Sequence, residues 1–286
     1  MTRVAASERG LIGADFVKSH GLGNDYIVVD AARFPISLTP ERVRLFCHRH
    51  LGVGSDGVLE VSASDDRFFV KIWNPDGSVA ERSGNGLRIV AKFLAEHGYT
   101  AESVFSVETV AGPVRTEVFR EGTRVRAVRL EMGRARVDRG VKRLEVAGHA
   151  LDVTVVSVGN PHCVVFGEPL TRERLFEAGP QIENHARFPD RINVQLAEPA
   201  SRDHVRALIW ERGAGHTLAS GTSACAVAAA CRDRGLVDGR VTVLMEGGEL
   251  TIEVAEDLDL VMTGPVEEVA TGVLSPDLAA RLMEIQ

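Results

Sequence analysis

Two serine-glycine pairs stand at matching places in two similar segments of this 286-residue chain. Ser83-Gly84 follows Trp73 by ten residues, and Ser220-Gly221 follows Trp210 by the same ten. An isoleucine precedes each tryptophan, and the chain has only these 2 tryptophans. This internal similarity indicates two copies of one structural unit, and we expect the two serine hydroxyls to face a shared site.

The small residues after each serine have the composition of an anion-binding helix start. The first turn of a helix exposes unpaired N–H groups and carries a partial positive charge, and short side chains let a carboxylate approach them. The backbone amides concerned are those of Gly84, Asn85, Gly221 and Thr222. Serine is also a good N-cap, so Ser83 and Ser220 could fill that structural role alone.

Four asparagines lie beside glycine, proline or an expected strand end, and each alone is well explained as a turn residue. They are Asn24, Asn74, Asn160 and Asn193. Together with Glu211 and Arg212 they could form a polar cage for a zwitterionic amino acid. In such a cage the guanidinium takes a carboxylate in a fork and the glutamate takes an ammonium group.

Neither the cysteines nor the histidines have the spacing of a metal site, so the sequence predicts no metal. The 4 cysteines are Cys47, Cys163, Cys225 and Cys231. A long chain of this composition has no need of disulfides, and the last two lie in an alanine-rich run, where a cysteine packs as a small hydrophobe. The histidines that we expect to pack or to lie at the surface are His20, His48 and His50.

Short strands and a few helices must position these groups. After Ser83, apolar residues recur at helical spacing from Leu87, and Gly98 follows as a stop, which predicts a helix of about three and a half turns. The run after Ser220 is apolar on every side, so that helix must be wrapped by other structure. We predict another helix at residues 40–51, a turn at residues 159–162, and strands at residues 103–131, 151–158, 163–166 and 241–263.

These patterns predict an α+β fold of two pseudo-symmetric domains, each a mixed or antiparallel sheet wrapped around a central helix. We place the first domain at residues 12–131 and the second at residues 132–267. A tail at residues 268–286 is expected to pack back on the first domain.

Bulk composition excludes several classes of protein. The net charge of -7 argues against a polyanion-binding surface, so we expect no nucleic-acid partner. No stretch approaches the roughly 20 apolar residues that span a bilayer, and residues 1–14 lack the apolar core of a signal peptide. We therefore expect a loose amino-terminal extension on a soluble, cytoplasmic protein that has no membrane partner.

Six blocks of the sequence resemble the signature motifs of the diaminopimelate epimerase family. The blocks are His-Gly-Leu-Gly-Asn-Asp-Tyr from His20, His-Leu-Gly-Val-Gly-Ser-Asp-Gly from His50, Asn-Pro-Asp-Gly-Ser from Asn74 with Ser-Gly-Asn-Gly-Leu-Arg from Ser83, Gly-Asn-Pro-His-Cys from Gly159, Asn-Val from Asn193, and Glu-Arg-Gly-Ala-Gly from Glu211. They occur in the family's order and cover most of the chain.

The resemblance implies a cofactor-independent isomerase of lysine and peptidoglycan synthesis that interconverts LL- and meso-diaminopimelate, commonly as a homodimer. In that family one thiolate removes the α-proton and a second thiol delivers a proton to the opposite face. The side chains that would bind the amino-acid substrate are Asn24, Asn74, Asn160, Asn193, Glu211 and Arg212. The amides that would hold the α-carboxylate and stabilise the carbanion are those of Gly84, Asn85, Gly221 and Thr222.

The chain departs from the family's pattern at the reacting groups. The family's two cysteines fall at Ser83 and Ser220, and its usual second glutamate falls at His216. A thiol has an ordinary pKa of about 8.5 and an alcohol one far higher, so serine is a poorer base for carbon.

Three accounts of this departure stay open. In the first, the serines still act, with help from a neighbouring base such as His162 or His216. In the second, the chain is a related racemase, isomerase or dehydratase with another acid-base residue and another amino-acid substrate. In the third, it binds an amino acid without turnover, or both cysteines were deliberately replaced. His216 favours natural divergence, because a simple replacement of cysteines would not explain it.

A serine hydrolase is the competing class outside this family. Its usual motif is Gly-x-Ser-x-Gly, and neither Ser83 nor Ser220 lies in such a motif. No ordered set of Ser, Asp and His is evident either, so the sequence favours the epimerase family.

Overall fold

Strands predominate over helices in the computed structural model, which describes residues 14–64 and 67–285. The predicted amino-terminal extension therefore lies, up to residue 13, outside the described residues. The chain forms two compact units: unit 1 is Met1–Leu130 with Pro265–Gln286, and unit 2 is Glu131–Gly264. None of the described helices combines the length and the apolar content that a membrane crossing requires.

The elements follow one another in a repeated order of strands and helices. The first ten are β1 (Phe16–Gly21), β2 (Asn24–Asp30), α1 (Pro40–Cys47), β3 (Val58–Ser64), β4 (Arg67–Trp73), β5 (Val79–Ala80), α2 (Gly84–Glu96), β6 (Val104–Thr109), β7 (Gly112–Glu121) and β8 (Arg124–Arg134), which begins in unit 1 and ends in unit 2. Those that follow in unit 2 are β9 (Arg136–Asp138), β10 (Arg143–Val146), β11 (His149–Ser157), β12 (Pro161–Phe166), α3 (Arg172–Glu183), β13 (Asn193–Pro199), β14 (His204–Glu211), β15 (Gly215–Thr217), α4 (Gly221–Asp233), β16 (Arg240–Met245), β17 (Gly248–Val254) and β18 (Asp259–Pro265). The chain ends with β19 (Glu267–Gly272) and α5 (Pro276–Glu284).

Both units use the same order of strand pairings. In unit 1, β1 is antiparallel to β2, β2 is parallel to β3, β3 is antiparallel to β4, and β4 is parallel to β6. In unit 2, strands β11, β12, β13, β14 and β16 pair with the same succession of orientations. The predicted pseudo-symmetric α+β architecture with mixed sheets is confirmed.

The two tryptophan segments form hairpins with one register. Each tryptophan lies in the first strand of a hairpin that leads into a helix, β4–β5 before α2 and β14–β15 before α4. The paired residues are Ile72–Ala80, Trp73–Val79, Ile209–Thr217 and Trp210–His216. Because these registers match position for position, each hairpin delivers its serine to the helix start in the same way.

A buried helix fills the centre of each unit. Helix α2 has 13 residues, packs against β1, β2, β3 and β7, and is buried from Gly84 to Ala95, which confirms its predicted length. Helix α4 also has 13 residues and is buried from Gly221 to Cys231. It packs against seven strands, which are β9, β11, β12, β13, β14, β16 and β17. Burial all round fits a helix that lacks a polar face.

Two predicted boundaries were wrong. Helix α1 begins after its predicted N-cap Thr39 but ends at Cys47, because His48 is extended and its ring nitrogen accepts bonds from the next N–H groups. His162 was placed in a turn, yet strand β12 already begins at Pro161, and His162 pairs with Asn193 in β13. Helices α3 and α5 were not predicted.

The carboxy-terminal elements lie within unit 1. Strand β19 pairs antiparallel with β1. Leu274 and Leu282 join the hydrophobic cluster around Phe46, whose ring makes an edge contact with Phe16. The core of unit 1 is therefore built from both ends of the described chain.

Gly179 in α3 gives a test of the packing around the second tryptophan. A Cβ at this position would lie 2.8 Å from two ring atoms of Trp210. Alanine normally stabilises a helix by up to about 1 kcal/mol relative to glycine, but overpacking costs about 1–3 kcal/mol. We expect Gly179→Ala to lower the free energy of unfolding in urea by about 1–2 kcal/mol. Gly140→Ala is the control, and an equal or smaller effect at Gly179 would contradict this packing.

Candidate functional site

Ser83 and Ser220 are N-caps with nearly identical backbone geometry. Their φ and ψ angles are -139° and 120° for Ser83 and -142° and 127° for Ser220. Ser83 Oγ accepts from the N–H of Gly86 at 3.1 Å, and Ser220 Oγ accepts from that of Ser223 at 3.4 Å. Each hydroxyl is thus fixed at a helix start and keeps its own proton for a further partner.

In unit 1, a chain of hydrogen bonds holds Asn24 at the start of α2. Asn85 Nδ2 donates to Asn24 Oδ1 at 3.0 Å, and Asn24 Nδ2 donates to Asp56 Oδ2 at 3.0 Å. Arg88, fully buried in α2, donates to Asn85 Oδ1 at 2.9 Å. These bonds orient the two predicted substrate-binding asparagines of this helix start.

Charged groups support this arrangement from the other side of Asp56. Arg49 bridges Asp56 at 2.6 Å and Asp25 at 2.9 Å, and Lys18 lies 2.8 Å from Asp25. Burial raises the pKa of the Asp25 carboxyl, but the bonds and charges of Arg49 and Lys18 outweigh it and leave the pKa below its usual range. Asp25 therefore stays ionised and anchors Arg49 and Lys18.

Asn74 and Tyr26 complete the polar groups of unit 1. Asn74 lies at the end of β4, where its Nδ2 donates to Ser78 Oγ at 2.9 Å. Tyr26, which was not among the predicted site residues, places its phenolic oxygen 3.3 Å from Ser83 Oγ.

In unit 2, His162 holds Asn160 at the start of α4. His162 Nε2 lies 2.9 Å from Asn160 Oδ1, and Gln195 Nε2 donates to His162 Nδ1 at 3.0 Å. Asn160 Nδ2 lies 3.5 Å from Thr222 Oγ1, which in turn is 3.5 Å from Ser220 Oγ. Both ring nitrogens of His162 therefore have partners, Asn160 and Gln195, and neither contacts a serine as an assisting base would.

The environment also keeps the His162 ring neutral. Burial of the imidazole and, to a smaller extent, the positive charge of Arg212 lower the pKa of His162 to about 3, although the bond from Gln195 acts in the opposite direction. A neutral Nε2–H tautomer donates to Asn160 and accepts from Gln195 at the same time. The geometry therefore fits a group that orients Asn160 better than it fits the predicted helper base.

The Glu211-Arg212 turn is fixed through Asn193 and Glu183. Asn193 Oδ1 accepts from the N–H of Arg212 at 3.0 Å, and Glu183 Oε1 accepts from that of Gly213 at 2.8 Å. The Arg212 guanidinium donates to the carbonyl of Asp190 at 3.2 Å and belongs to an exposed residue. Glu211 is half-buried at the end of β14.

Each of the two tryptophans donates a hydrogen bond to a glutamate. Trp73 Nε1 bonds to Glu60 Oε2 at 2.9 Å, and Trp210 Nε1 bonds to Glu183 Oε2 at 2.8 Å. Neither glutamate was among the residues predicted from the sequence. The signal was the indole N–H itself, which usually needs an acceptor when it is buried.

His216 forms a hydrogen bond with Glu246 at the hairpin before Ser220. Its Nε2 lies 2.5 Å from Glu246 Oε2, and Arg172 Nε lies 2.6 Å from the other oxygen of that carboxylate. Burial raises the pKa of Glu246, but the bonds from His216 and Arg172 outweigh it and lower the pKa overall. His216 is thus hydrogen-bonded to the Glu246 carboxylate rather than to a serine hydroxyl.

The four cysteines are buried thiols. All four are buried, and none of the four is in a disulfide. Burial raises the pKa of Cys163 to about 12 and that of Cys231 to about 12, and it also raises the pKa of Cys47. These thiols stay protonated, which leaves hydroxyl groups at the two helix starts.

Comparison with known proteins gives one family. Residues 16–137 and 154–269 match the family model described as diaminopimelate epimerase. A diaminopimelate epimerase from Pelotomaculum thermopropionicum is 42% identical over 275 residues, which cover 90% of this chain and 97% of the relative. Diaminopimelate epimerase 2 from Nostoc sp. is 38% identical over 281 residues, which cover 93% and 97%.

Solved structures share the fold at lower identity. A hydroxyproline epimerase from Agrobacterium vitis, solved with bound trans-4-hydroxy-L-proline, superposes with a TM-score of 0.72 at 17% identity and covers 91% of this chain and 93% of its own. A predicted epimerase from Pseudomonas aeruginosa gives a TM-score of 0.70 at 20% identity, with 92% and 99% covered. At these identities the likeness establishes the fold alone.

The buried neutral His162 predicts a pH dependence of stability. Its pKa of about 3 in the folded chain lies below the ordinary value of 6.5, so on acidification the unfolded chain gains a proton that the folded chain does not take up. Stability is therefore present above pH 6.5 and is lost as the pH falls, by about 1.4 kcal/mol for each unit down to about pH 3. Urea unfolding of His162→Gln should show a shallower loss below pH 6.5. His149→Gln, at an exposed histidine, is the control, and an unchanged slope in His162→Gln would contradict the burial of a neutral ring.

Proposed function

Because this chain belongs to the diaminopimelate epimerase family, we propose that it interconverts LL- and meso-diaminopimelate by moving a proton at the α-carbon. The observation that carries the proposal is the pair of serine-capped helix starts, nearly identical in backbone geometry and delivered by hairpins of one register. A reaction that inverts a carbon centre needs an acid-base group for each face, so a duplicated helix start has a chemical purpose.

In this proposal the serines occupy the positions of the family's two cysteines. Ser83 and Ser220 serve opposite faces of the α-carbon: one oxygen takes the α-proton and the other hydroxyl returns one. Both oxygens already accept a backbone N–H, which supports negative charge on them. The chemistry uses no cofactor, and a cytoplasmic location and a homodimer belong to the same proposal on the family resemblance alone.

The helix starts supply the second requirement, which is stabilisation of the carbanion. The backbone N–H groups of Gly84, Asn85, Gly221 and Thr222 would hold the α-carboxylate, where preorganised donors lower the free energy of the charged intermediate. The small residues at these positions allow close approach of the carboxylate.

The amide and charged side chains would recognise the rest of the amino acid. The set consists of Asn24, Asn74, Asn160, Asn193, Glu211 and Arg212. Support for it comes from the bonds that already fix most of its members, such as Asn24 to Asp56 and Asn193 to the Arg212 backbone. We assign His162 to orienting Asn160, and His216 with Glu246 to fixing the hairpin before Ser220.

Deuterium exchange tests the proposed reaction. Incubation with LL-diaminopimelate in deuterated water should introduce deuterium at the α-carbon and produce the meso isomer. The double variant Ser83→Cys, Ser220→Cys should react roughly 100-fold faster or more, since a thiol is a far better acid-base group than an alcohol. Binding is measured in parallel by calorimetry. Binding without exchange in the wild-type chain would contradict the epimerase and favour an amino-acid-binding relative.

Arg212 tests the recognition of the substrate's charged groups. Arg212→Lys keeps the charge but loses the planar fork, and charged hydrogen bonds are each worth about 1.5–3 kcal/mol. We expect amino-acid binding to weaken by about 10- to 100-fold in calorimetric titration. The matched control is Arg202→Lys, because Arg202 is an exposed arginine paired with Asp238. Equal affinity of the two variants would remove Arg212 from the binding set.

A further inference from the structure

We propose that Tyr26 is the proton partner of Ser83, a role that rests on the proposed function and deepens it. Tyr26 is buried, with 7% of its surface exposed, and its phenolic oxygen lies 3.3 Å from Ser83 Oγ. The two residues are 57 positions apart in the chain, so the contact is made by the fold and not by local sequence.

The Tyr26 ring is held tightly in this position. Its strand partner in β1 is Ser19, and a Cβ on Gly57 would lie 2.7 Å from the ring atom Cε1. Two residues earlier, Asn24 is hydrogen-bonded to Asn85 in the first turn of α2. The strand that carries the phenol is therefore fixed against the helix start that carries Ser83.

Either oxygen can be the donor in the contact between Ser83 Oγ and the Tyr26 phenolic oxygen, so this contact can carry a proton in both directions. Ser83 Oγ accepts from the N–H of Gly86 at 3.1 Å, so its hydroxyl proton can be donated to the phenolic oxygen. A separation of 3.3 Å is long for two oxygen atoms, but catalytic hydrogen bonds often shorten only when substrate is bound.

A phenol solves the difficulty that an alcohol is too weak an acid for this chemistry. An unperturbed phenol has a pKa of about 10, well below that of an aliphatic alcohol, and the positive end of α2 favours an anion at this position. In the forward step the Cα–H bond breaks and its electron pair stays on the α-carbon. Ser83 Oγ gains that proton while its own proton passes to the Tyr26 phenolate, which becomes a neutral phenol. Tyr26 thus acts through Ser83 as a positioning residue and proton acceptor.

This relay exists for one serine only. Ser220 Oγ has Thr222 Oγ1 at 3.5 Å instead of a phenol, and the chain's second tyrosine, Tyr99, donates to Asp30 Oδ2 at 2.5 Å. Loss of the phenol should therefore slow proton removal from one stereoisomer more than from the other.

A double-mutant cycle tests the relay in the full-length chain. We expect Tyr26→Phe to slow α-deuterium exchange by about 100-fold or more with KM little changed, which is the usual range for loss of an acid-base partner. In the Ser83→Cys background the same substitution should have an effect within about threefold, because a thiolate needs no phenol. Tyr99→Phe is the matched control, since it removes the only other phenol, and it should change exchange by the same factor in both backgrounds.

Fluorinated tyrosine gives a second measurement that does not remove any packing. Incorporated into the Tyr99→Phe chain, it occupies position 26 alone. Because fluorine lowers the pKa of a phenol, the rising limb of the pH profile should move to lower pH. An unshifted limb would overturn the relay, even if Tyr26→Phe failed to fold.

The outcomes separate this inference from the proposed function. Equal slowing by Tyr26→Phe in the wild-type and Ser83→Cys backgrounds would show that the phenol only supports the fold, and it would overturn the relay alone. Exchange that continues at the wild-type rate in Tyr26→Phe would do the same. No exchange in the wild-type chain would overturn both proposals.

Discussion

A helix buried on all sides must still satisfy the N–H groups of its first turn, and the rest of this structure depends on that constraint. Helices α2 and α4 both meet it with one serine cap, at Ser83 and Ser220. One cap satisfies one N–H group, and the proposed function assigns other amides of each first turn to the substrate carboxylate. The hairpins, the tryptophan-glutamate bonds and the asparagine networks all fix the position of these two helix starts.

The chemistry at the helix starts follows from which groups can give up a proton. The thiols of this chain are buried elsewhere, with Cys163 and Cys231 held protonated, and the His162 ring is neutral and bonded on both sides. The remaining groups are the serine hydroxyls at the helix starts. An aliphatic alcohol is a very weak acid, so such a hydroxyl needs a neighbouring group that accepts its proton. The Tyr26 phenol beside Ser83 meets that need in unit 1.

Local periodicity predicted the central elements, while contacts between distant segments stayed hidden. The repeat around the two tryptophans was enough to predict both capped helices, and Leu87 with its helical neighbours predicted the length of α2. The end of α1 was missed because it depends on the side chain of His48. Tyr26, Glu60 and Glu183 were missed because their partners lie 57, 13 and 27 positions away, and no spacing rule connects residues that meet only in the folded chain.

A crystal structure of the wild-type chain with bound diaminopimelate would measure the central arrangement most directly. The account predicts that Ser83 Oγ and Ser220 Oγ both lie about 3–3.5 Å from the α-carbon, on opposite faces, with the α-carboxylate on the amides of the two helix starts. A ligand held by one helix start alone, with the other serine oxygen beyond about 6 Å from the α-carbon, would contradict it.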